Sequence, residues 1–309
     1  MKKAFVTGAN GFVGTALVKE LTRQGVQVTA MVRSENETRN ALEACGAKIV
    51  FCDLAQMEKL PQIVDETGFD VFYHLAWIGS AGPSRTDSRL QLDNAQYTVQ
   101  AVNTAVQLRC KRFVGAGSIM EYETNEAANT QRNRLGMAYI YGGGKLVAHV
   151  MSKAVAVTAG IEHVWPMITN AYGPGELSPR FVNTTLRKMI HREPLRFTAA
   201  TQNYDFVYID DVARAFYLIG EKGKPFCQYL IGSGNARPLK EFILEMQQAI
   251  APEQQLLFGD VPFTGTNLPL SFFNCEDTFK DTGFCPTVSF VEGAGRTMEW
   301  LKKEGEVKI

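Results

Sequence analysis

The first 34 residues hold the pattern that most constrains how this chain can fold. Residues 3–7 form a short apolar run, residues 12–24 repeat apolar side chains at helical spacing, and residues 26–32 are again β-branched and apolar. Gly25 is placed to end the helix in a left-handed conformation. Three glycines separate the first strand from the helix: Gly8, Gly11 and Gly14. The segment predicts one βαβ unit whose helix N-terminus faces an anion, the arrangement of a dinucleotide-binding site.

The end of the second predicted strand indicates which dinucleotide is preferred. An NAD site carries an acidic residue there that binds the ribose 2′-hydroxyl, whereas an NADP site carries an arginine nearby. This chain has Arg33 followed by Ser34, with Glu35 as the nearest acid. A guanidinium can bind a 2′-phosphate through two hydrogen bonds. The sequence therefore favours NADP(H), with NAD as the alternative.

The composition excludes several classes of function. The 309 residues carry 32 basic and 32 acidic side chains, a balance that offers no electrostatic footprint for nucleic acid or an anionic membrane. No apolar run reaches membrane-spanning length, and the first residues lead into a strand without a cleavable signal. The six cysteines lack CxxC pairs and the four histidines lack ligand spacing. These patterns predict reduced thiols, no metal site and a cytoplasmic location.

Strands and helices continue to alternate through the first 170 residues. Further strands are expected at 48–52, 71–75, 112–116 and 163–168, with helices at 57–66, 90–108 and 139–159 between or before them. Residues 79–89 and 121–136 are polar and are expected to be irregular. This alternation predicts an α/β fold with a Rossmann-type doubly wound parallel sheet. Ligands of such sheets bind beyond the carboxyl ends of the strands.

The regular alternation of strands and helices ends after residue 170. Helices are expected at 179–191, 210–218, 238–250 and 290–303, with strands at 205–209 and 226–231. We expect residues 1–170 to form the dinucleotide-binding domain, to which a segment at about 204–232 returns. Residues 171–203 and 233–309 are expected to form a smaller α+β substrate-binding lid.

A phenol and an ammonium lie four residues apart at Tyr141 and Lys145, one turn apart on the same face of the predicted helix. A nearby ammonium favours the phenolate and is expected to lower the pKa of the tyrosine, which suits proton transfer near neutrality. Three consecutive glycines, 142–144, lie between them at a cost of about 1 kcal/mol each relative to alanine. Close approach of a cofactor or of another backbone would explain them. Ser118 follows the strand at 112–116 and can bind a carbonyl oxygen beside the phenol.

With these residues the sequence resembles the extended short-chain dehydrogenase/reductase family, the NAD(P)-dependent nucleotide-sugar epimerases, dehydratases and reductases. TGANGFVG (7–14) matches the cofactor loop of the family, and KRFVGAGSIMEY (111–122) matches the strand that delivers its catalytic serine or threonine. Tyr141 with Lys145 matches the Tyr-x-x-x-Lys pair. Further matches are Asp53-Leu54, His74-Leu75-Ala76, Asn170 with Tyr172-Gly173-Pro174, and YDFVYIDDVARA (204–215). The resemblance covers essentially the whole chain.

The resemblance implies a role for each matching residue. The catalytic residues would be Ser118, which binds the sugar oxygen, Tyr141, the acid/base, and Lys145, which holds the nicotinamide ribose. The cofactor-binding residues would be Gly8, Asn10, Gly11, Phe12, Val13, Gly14, Arg33, Ser34, Asp53, Leu54, Leu75, Ala76, Tyr141 and Lys145. The substrate-binding residues would be Ser118, Glu121, Asn170, Arg180 and Arg187.

The chain departs from the family at positions that matter for substrate binding. Tyr204 stands where the family often has an arginine before Asp-Phe, and strand six has Trp165 where an arginine is usual. Diphosphate binding is then left to other arginines: Arg180, Arg187, Arg196 or Arg237. The dehydratase branch carries Thr-Asp-Glu at the end of the catalytic strand, whereas here residues 119 and 120 are Ile and Met and the acid, Glu121, comes one place late. Dehydration is therefore disfavoured.

These observations favour an NADP(H)-dependent reductase of a nucleotide-linked 4-keto sugar, with Tyr141 as the proton donor. An NAD-dependent nucleotide-sugar epimerase that retains its cofactor is the first alternative, and a reductase of non-nucleotide ketones is the second. A sensor that binds the dinucleotide without turnover is disfavoured because it has no need of the Ser-Tyr-Lys set. The sugar and the nucleotide base are left open.

The two long predicted helices also carry apolar residues on more than one face, including Val99, Val102, Val106, Val147, Val150 and Val155. One face should cover the sheet, and the other predicts a homodimer built as a four-helix bundle, as the family resemblance also implies. Burial of the second face under the lid is the alternative.

Overall fold

The computed structural model describes residues 1–34 and 37–306. The strands are β1 (Lys3–Thr7), β2 (Gln27–Val32), β3 (Lys48–Phe51), β4 (Val71–His74), β5 (Arg112–Gly115), β6 (Gly117–Ser118), β7 (Glu162–Ile168), β8 (Asn170–Tyr172), β9 (Leu195–Phe197), β10 (Asn203–Tyr204), β11 (Phe206–Tyr208), β12 (Gln228–Ile231), β13 (Arg237–Pro238) and β14 (Leu256–Phe258). The α-helices are α1 (Phe12–Arg23), α2 (Glu37–Ala44), α3 (Leu60–Ile63), α4 (Ser88–Gln107), α5 (Met120–Asn129), α6 (Ile140–Ala159), α7 (Phe181–Ile190), α8 (Ile209–Lys222), α9 (Leu239–Ile250), α10 (Glu276–Thr282) and α11 (Phe290–Glu306). Short 3₁₀ helices lie at Leu54–Lys59, Pro83–Thr86, Met137–Tyr139 and Leu270–Phe273.

The central sheet is parallel and has the order β12-β7-β5-β4-β1-β2-β3, with β6 also paired to β7. The order reverses between β1 and β4, since the chain leaves β1 toward β3 and returns to the other side of β1 at β4. This reversal opens a crevice at the carboxyl edge of the sheet, where doubly wound folds bind their ligands. The predicted α/β class with a doubly wound parallel sheet is confirmed.

Two predicted segments differ in the structure. Residues 121–136 were expected to be irregular, yet α5 forms at their start with Glu121, Thr124 and Ala127 buried at a spacing of three residues. Two of these three buried positions are polar, so the spacing of hydrophobic residues does not reveal the helix. The helix expected at 57–66 is instead a 3₁₀ helix followed by the single turn α3, in which Pro61 lies near the N-terminus.

The second half of the chain packs on the same core as the sheet. Three two-stranded sheets pair β8 with β11, β9 with β14, and β10 with β13. The ring of Phe206 contacts those of Phe242 and Phe290 at centroid distances of 5.0 and 5.3 Å. These rings belong to one continuous buried cluster with α1, β1 and α8. The second half of the chain is therefore anchored to the sheet, and its division into a substrate-binding lid and a returning segment stays a prediction.

The three glycines of α6 have separate explanations. A Cβ atom on Gly142 would lie 2.1 Å from the Thr124 hydroxyl oxygen and 2.4 Å from the Met120 carbonyl oxygen. Glycine at this position therefore lets α5 pack closely against α6. A Cβ on Gly144 would lie 3.0 Å from the Gln91 backbone oxygen of α4. Gly143 has open space around it. The neighbouring backbones, rather than a cofactor, thus account for two of the three.

The paired helices α4 and α6 present an apolar face to solvent. Val150 is 60% exposed, and Val106 and Val147 are each 37% exposed. Val102 and Val155 turn inward to the core instead. Within residues 1–34 and 37–306, no helix combines the length and the hydropathy needed to cross a membrane.

Candidate active site

A cleft of about 1670 Å³ follows the carboxyl edge of β1, β2, β4 and β5. Every residue that the sequence assigned to the cofactor lines it: Gly8, Asn10, Gly11, Phe12, Val13, Gly14, Arg33, Ser34, Asp53, Leu54, Leu75, Ala76, Tyr141 and Lys145. Within the described residues, no group of His, Cys, Asp and Glu side chains is arranged to hold a metal ion, and all six cysteines are free thiols.

Two glycines shape the floor of this cleft. Gly8 has φ +67°, and a Cβ on it would lie 2.6 Å from the Ala76 backbone nitrogen. A Cβ on Gly14 would lie 2.0 Å from the Gly8 carbonyl oxygen, so only glycine lets α1 begin against β1. Gly11, the N-cap of α1, provides no side-chain cap. The first N–H groups of α1 therefore face the cleft, which fits the diphosphate of a dinucleotide.

The wall of the cleft beyond β2 and β3 carries the residues that are predicted to select between NADP and NAD. Arg33 and Ser34 follow β2 and are exposed in the cleft wall. The Asp53 carboxylate accepts a hydrogen bond of 2.9 Å from the Ala55 N–H and so caps the 3₁₀ helix after β3. Glu35, the acid beside Arg33 in the sequence, lies outside the described residues. A guanidinium at this wall is the feature that a 2′-phosphate would contact.

The predicted catalytic residues meet where β5 and β6 end. The Ser118 hydroxyl lies beside the Tyr141 phenol and acts to lower its pKa, and Ser118 Oγ accepts a 3.2 Å hydrogen bond from the Met120 N–H. One turn along α6, the Lys145 ammonium donates a 2.7 Å hydrogen bond to the Ala116 carbonyl oxygen and lies 3.7 Å from the centroid of the Trp77 ring. Trp77 is held in turn by a 2.7 Å hydrogen bond from its indole N–H to Gln91. Tyr141 and Lys145 therefore face the edge of the cleft, whereas Ser118 lies beside the phenol and does not itself line the cleft.

Burial controls the proton affinities of this set. It lowers the pKa of Lys145 to about 7, against the opposing effect of the Glu121 carboxylate. It raises the pKa of Tyr141, while the guanidinium groups of Arg180 and Arg85 act in the lowering direction. The expectation that Lys145 leaves this tyrosine with a lowered pKa is therefore wrong for this structure, because loss of solvent around the phenol outweighs the nearby positive charges.

Residues 4–232 match the NAD dependent epimerase/dehydratase family. The chain belongs to that family. It is accordingly an NAD(P)-dependent enzyme of the extended short-chain dehydrogenase/reductase type, and the resemblance found in the sequence is confirmed.

This chain is similar to family members whose names point to different nucleotide sugars. CDP-abequose synthase from Salmonella typhimurium (strain LT2) is 23% identical over 306 residues, which cover 96% of this chain and 97% of that protein. A trifunctional UDP-glucose 4,6-dehydratase, 3,5-epimerase and reductase from Arabidopsis thaliana, RHM3, is 22% identical over 99% of this chain, which spans 48% of that longer protein. A point mutant of UDP-glucuronic acid 4-epimerase from Bacillus cereus, solved with UDP-4-deoxy-4-fluoro-glucuronic acid and NAD, shares the fold. Its TM-score is 0.79 at 21% identity, over 98% of this chain and 99% of that chain.

A second pocket of about 280 Å³ is lined by residues of the segment 80–85, of β8, β10 and β11, and of the start of α7. Asn170 lines it and donates a 3.0 Å hydrogen bond from its amide to the Asp205 carbonyl oxygen. Arg180 also lines it, with Nε 3.1 Å from a Glu176 carboxylate oxygen. Tyr204, at the position where the resemblance led us to expect an arginine, forms part of the wall.

Three of the four arginines that the sequence suggested for diphosphate binding line neither the cleft nor the second pocket. Arg187 is exposed in the last turn of α7 and lines neither pocket, so its predicted substrate role is not supported by its position. Arg196 is exposed and lies 3.6 Å from Asp260. Arg237 pairs with Glu245 and covers the ring of Phe242 at 4.1 Å.

Glu121 also differs from its prediction as a substrate-binding residue. It is 2% exposed and turns into the core beneath β6. Its carboxylate accepts hydrogen bonds from the Ser118 N–H at 2.9 Å and from the Trp165 indole N–H at 3.0 Å. The carboxylate is thus occupied by the protein itself, and the prediction is corrected.

Two charged residues on this side of the site, Arg85 and Glu123, did not follow from the sequence. The Arg85 guanidinium lies 4.5 Å from the centroid of the Tyr141 ring and lines the second pocket. Glu123 lies on α5, and Arg85 lowers its pKa against the stronger effect of burial, which raises it to about 7. Both residues fall in segments that looked like polar loops, and no pattern in the sequence directed them toward Tyr141.

We expect Glu123→Gln to stabilise the protein more at pH 8 than at pH 5. The folded-state pKa of about 7 exceeds the ordinary value of 4.5, so the native state holds this proton more tightly than the unfolded chain. Stability is therefore lost as the pH rises through that window, and glutamine removes the loss. Thermal unfolding at both pH values measures the difference in Tm between variant and wild type.

Glu126→Gln, on the same helix, is the matched control and should shift Tm equally at the two pH values. A Glu123→Gln difference that does not grow with pH would contradict the burial of a titrating carboxyl at this position.

Proposed function

We propose that the protein is an NADP(H)-dependent oxidoreductase that reduces a 4-keto sugar carried on a nucleotide diphosphate. The observation that carries the proposal is the pair Tyr141 and Lys145 at the end of a dinucleotide cleft whose outer wall presents Arg33, with Ser118 beside the phenol. The similarity to CDP-abequose synthase over nearly the full length of both chains supports a sugar nucleotide as the substrate class.

The geometry around Ser118 supports reduction over dehydration. Elimination needs a carboxylate that faces the sugar beside the catalytic hydroxyl. Residues 119 and 120 are apolar, and the carboxylate of Glu121 binds the backbone and an indole beneath the strand.

The chain's own residues have distinct tasks in this mechanism. The dinucleotide, when bound, supplies the hydride that reaches the carbonyl carbon. Ser118 binds the carbonyl oxygen, and Tyr141, kept protonated by its raised pKa, delivers a proton to that oxygen. Lys145 would bind the nicotinamide ribose while it is held at the Ala116 carbonyl. Arg85 and Arg180, which line the second pocket, provide positive charge for the diphosphate.

An NAD-dependent epimerase that retains its cofactor is the alternative, and the similarity to UDP-glucuronic acid 4-epimerase solved with NAD favours it. Mass spectrometry of ligands that leave the purified protein separates the two functions. Retained NAD supports the epimerase, whereas exchangeable cofactor and consumption of NADPH with a panel of nucleotide 4-keto sugars support the reductase. Turnover of simple ketones alone would favour the non-nucleotide reductase instead.

We expect Arg33→Asp to weaken NADPH binding by about 1–3 kcal/mol and to leave NADH binding nearly unchanged, because only NADPH carries the 2′-phosphate. Fluorescence titration of both cofactors measures the two dissociation constants. Arg109→Asp, an exposed arginine after α4, is the control and should change neither. An equal loss for both cofactors, or a wild-type preference for NADH, would overturn the NADP assignment.

We expect Tyr141→Phe to lower turnover by about two to four orders of magnitude, since it removes the proton donor while keeping the ring. Ser118→Ala should lower turnover with little change in cofactor affinity, whereas Lys145→Met should weaken cofactor binding as well. Steady-state kinetics with NADPH and cofactor titrations check these effects.

Tyr139→Phe is the matched control for the loss of a phenol, because the Tyr139 hydroxyl forms a 2.8 Å hydrogen bond with Thr266, away from the proposed catalytic set. If Tyr141→Phe kept near-wild-type turnover on a confirmed substrate, the proposed proton donor would be wrong.

We also propose that a second copy of the chain covers the exposed face of α4 and α6 as a four-helix bundle. Light scattering at micromolar concentration should then report a dimer, and Val150→Glu should reduce it to a monomer. Leu244→Glu, which adds the same charge at a 44% exposed position on α9, should leave the dimer intact. A monomeric wild type would refute this assembly.

A further inference from the structure

The Trp77 indole, in the loop that follows β4, contacts both Tyr141 and Lys145. Lys145 Nζ lies 3.7 Å from the centroid of the indole, and the Tyr141 ring meets it edge to face, with centroids 6.0 Å apart and planes 79° apart. Lys145 Nζ also donates a 2.7 Å hydrogen bond to the Ala116 carbonyl oxygen. The amino group is therefore held between one carbonyl oxygen and one aromatic face, and such a face attracts a cation through its quadrupole.

A buried amide on α4 sets the position of this indole. Gln91 is 1% exposed, and its Oε1 accepts a 2.7 Å hydrogen bond from the Trp77 indole N–H. Its Nε2 donates hydrogen bonds of 3.1 Å to the carbonyl oxygens of Gly79 and Ser84. An amide has two N–H donors, and both are used by these carbonyls. The amide oxygen must then face the indole, since the reversed amide would set donors against a donor.

The packing of α4 against α6 brings Gln91 to the level of the lysine. A Cβ on Gly144, the residue before Lys145, would lie 3.0 Å from both the Cβ and the carbonyl oxygen of Gln91. One turn along α4, Asn94 accepts a 2.9 Å hydrogen bond from the Ile78 N–H and donates a 2.8 Å bond to the Ile78 carbonyl oxygen. The backbone after the tryptophan therefore has its own anchor, which does not depend on Gln91.

We propose that Gln91 is a positioning residue for cofactor binding, which acts through Trp77 to hold the Lys145 side chain where it binds the nicotinamide ribose. Gln91 lines neither the cleft nor the second pocket, so it reaches a bound dinucleotide only through other side chains. The inference rests on the proposed function, because that function assigns the ribose contact to Lys145.

A role in folding alone would give a different result from a role in positioning. Gln91 pairs three polar groups, so its loss should lower the stability of the protein whatever it does for the cofactor. A role through Lys145 makes the effect of Gln91 on cofactor affinity depend on Lys145 itself. A double-mutant cycle measures that dependence.

The test is isothermal titration calorimetry of the full chain with NADP⁺ and with NAD⁺ at pH 6. This pH lies below the pKa of about 7 that burial gives Lys145, so the ammonium is present. Gln91→Met removes the amide and keeps an unbranched side chain. It should weaken binding of the preferred cofactor about 5-fold, the order expected from one lost hydrogen bond or cation–π contact.

The second half of the cycle starts from Lys145→Met, which should itself weaken binding. In that background Gln91→Met should change the affinity by less than about 2-fold, because the side chain that it helps to hold is already gone. Gln107→Met is the matched control, the same substitution at an exposed position in the last turn of α4. It should change neither the affinity nor the Tm.

The outcomes separate this inference from the proposed function. An equal loss from Gln91→Met in both backgrounds, or no loss where Lys145→Met does weaken binding, would overturn the positioning role and leave the ribose contact of Lys145 standing. An unchanged affinity in Lys145→Met would contradict the ribose contact itself, and the positioning role would be wrong with it.

Thermal unfolding shows whether Gln91→Met is folded. If it is not, Trp77→Phe takes its place, because it removes the indole N–H that Gln91 holds and keeps an aromatic ring. Its effect should likewise be present in the wild-type background and absent in Lys145→Met. A loss that persists in Lys145→Met, or no loss in the wild-type background, would refute the proposal.

Discussion

The contact between the start of α1 and the end of β1 is the constraint on which the rest of the site depends. The helix begins so close to the strand that a single added methyl group on Gly14 would overlap the Gly8 carbonyl oxygen. This closeness aims the free N–H groups of α1 along the carboxyl edge of the sheet. The reversal of strand order between β1 and β4 then brings Ala76, after β4, and Ala116, after β5, to the same edge.

Burial then decides the chemistry available at that edge. Tyr141 and Lys145 are withdrawn from water, and in each case the uncharged form is favoured by loss of solvent. A neutral phenol is suited to deliver a proton to a developing alkoxide.

The second pocket is positively charged although it lacks an arginine that the family resemblance led us to expect. That position is Tyr204, whose pKa is raised to about 12 by burial. Positive charge reaches the pocket instead from Arg85, on the 3₁₀ helix after β4, and from Arg180, at the start of α7. Since these arginines flank Tyr141 as well, they also favour ionisation of its phenol against the effect of burial.

Much of the fold and of the cofactor cleft followed from the sequence. The glycine spacing, the alternation of apolar runs with amphipathic helices, and the Tyr-x-x-x-Lys pair are local patterns, and local geometry determines what they form. The sequence by itself therefore determined a doubly wound sheet, a dinucleotide cleft and the residues that line it. It did not reveal α5, because its buried positions include the polar residues Glu121 and Thr124.

Only the tertiary structure decided where charged side chains point. Arg85 lies far from Tyr141 along the chain, yet its guanidinium covers that ring. Glu121 was expected to face the substrate, but the indole of Trp165 and the ring of His149 draw its carboxylate into the core. The direction of each charged side chain depends on the hydrogen-bond partners near it and on how much water still reaches it. Both are set by contacts between segments that are distant in sequence, so no local spacing of residues encodes them.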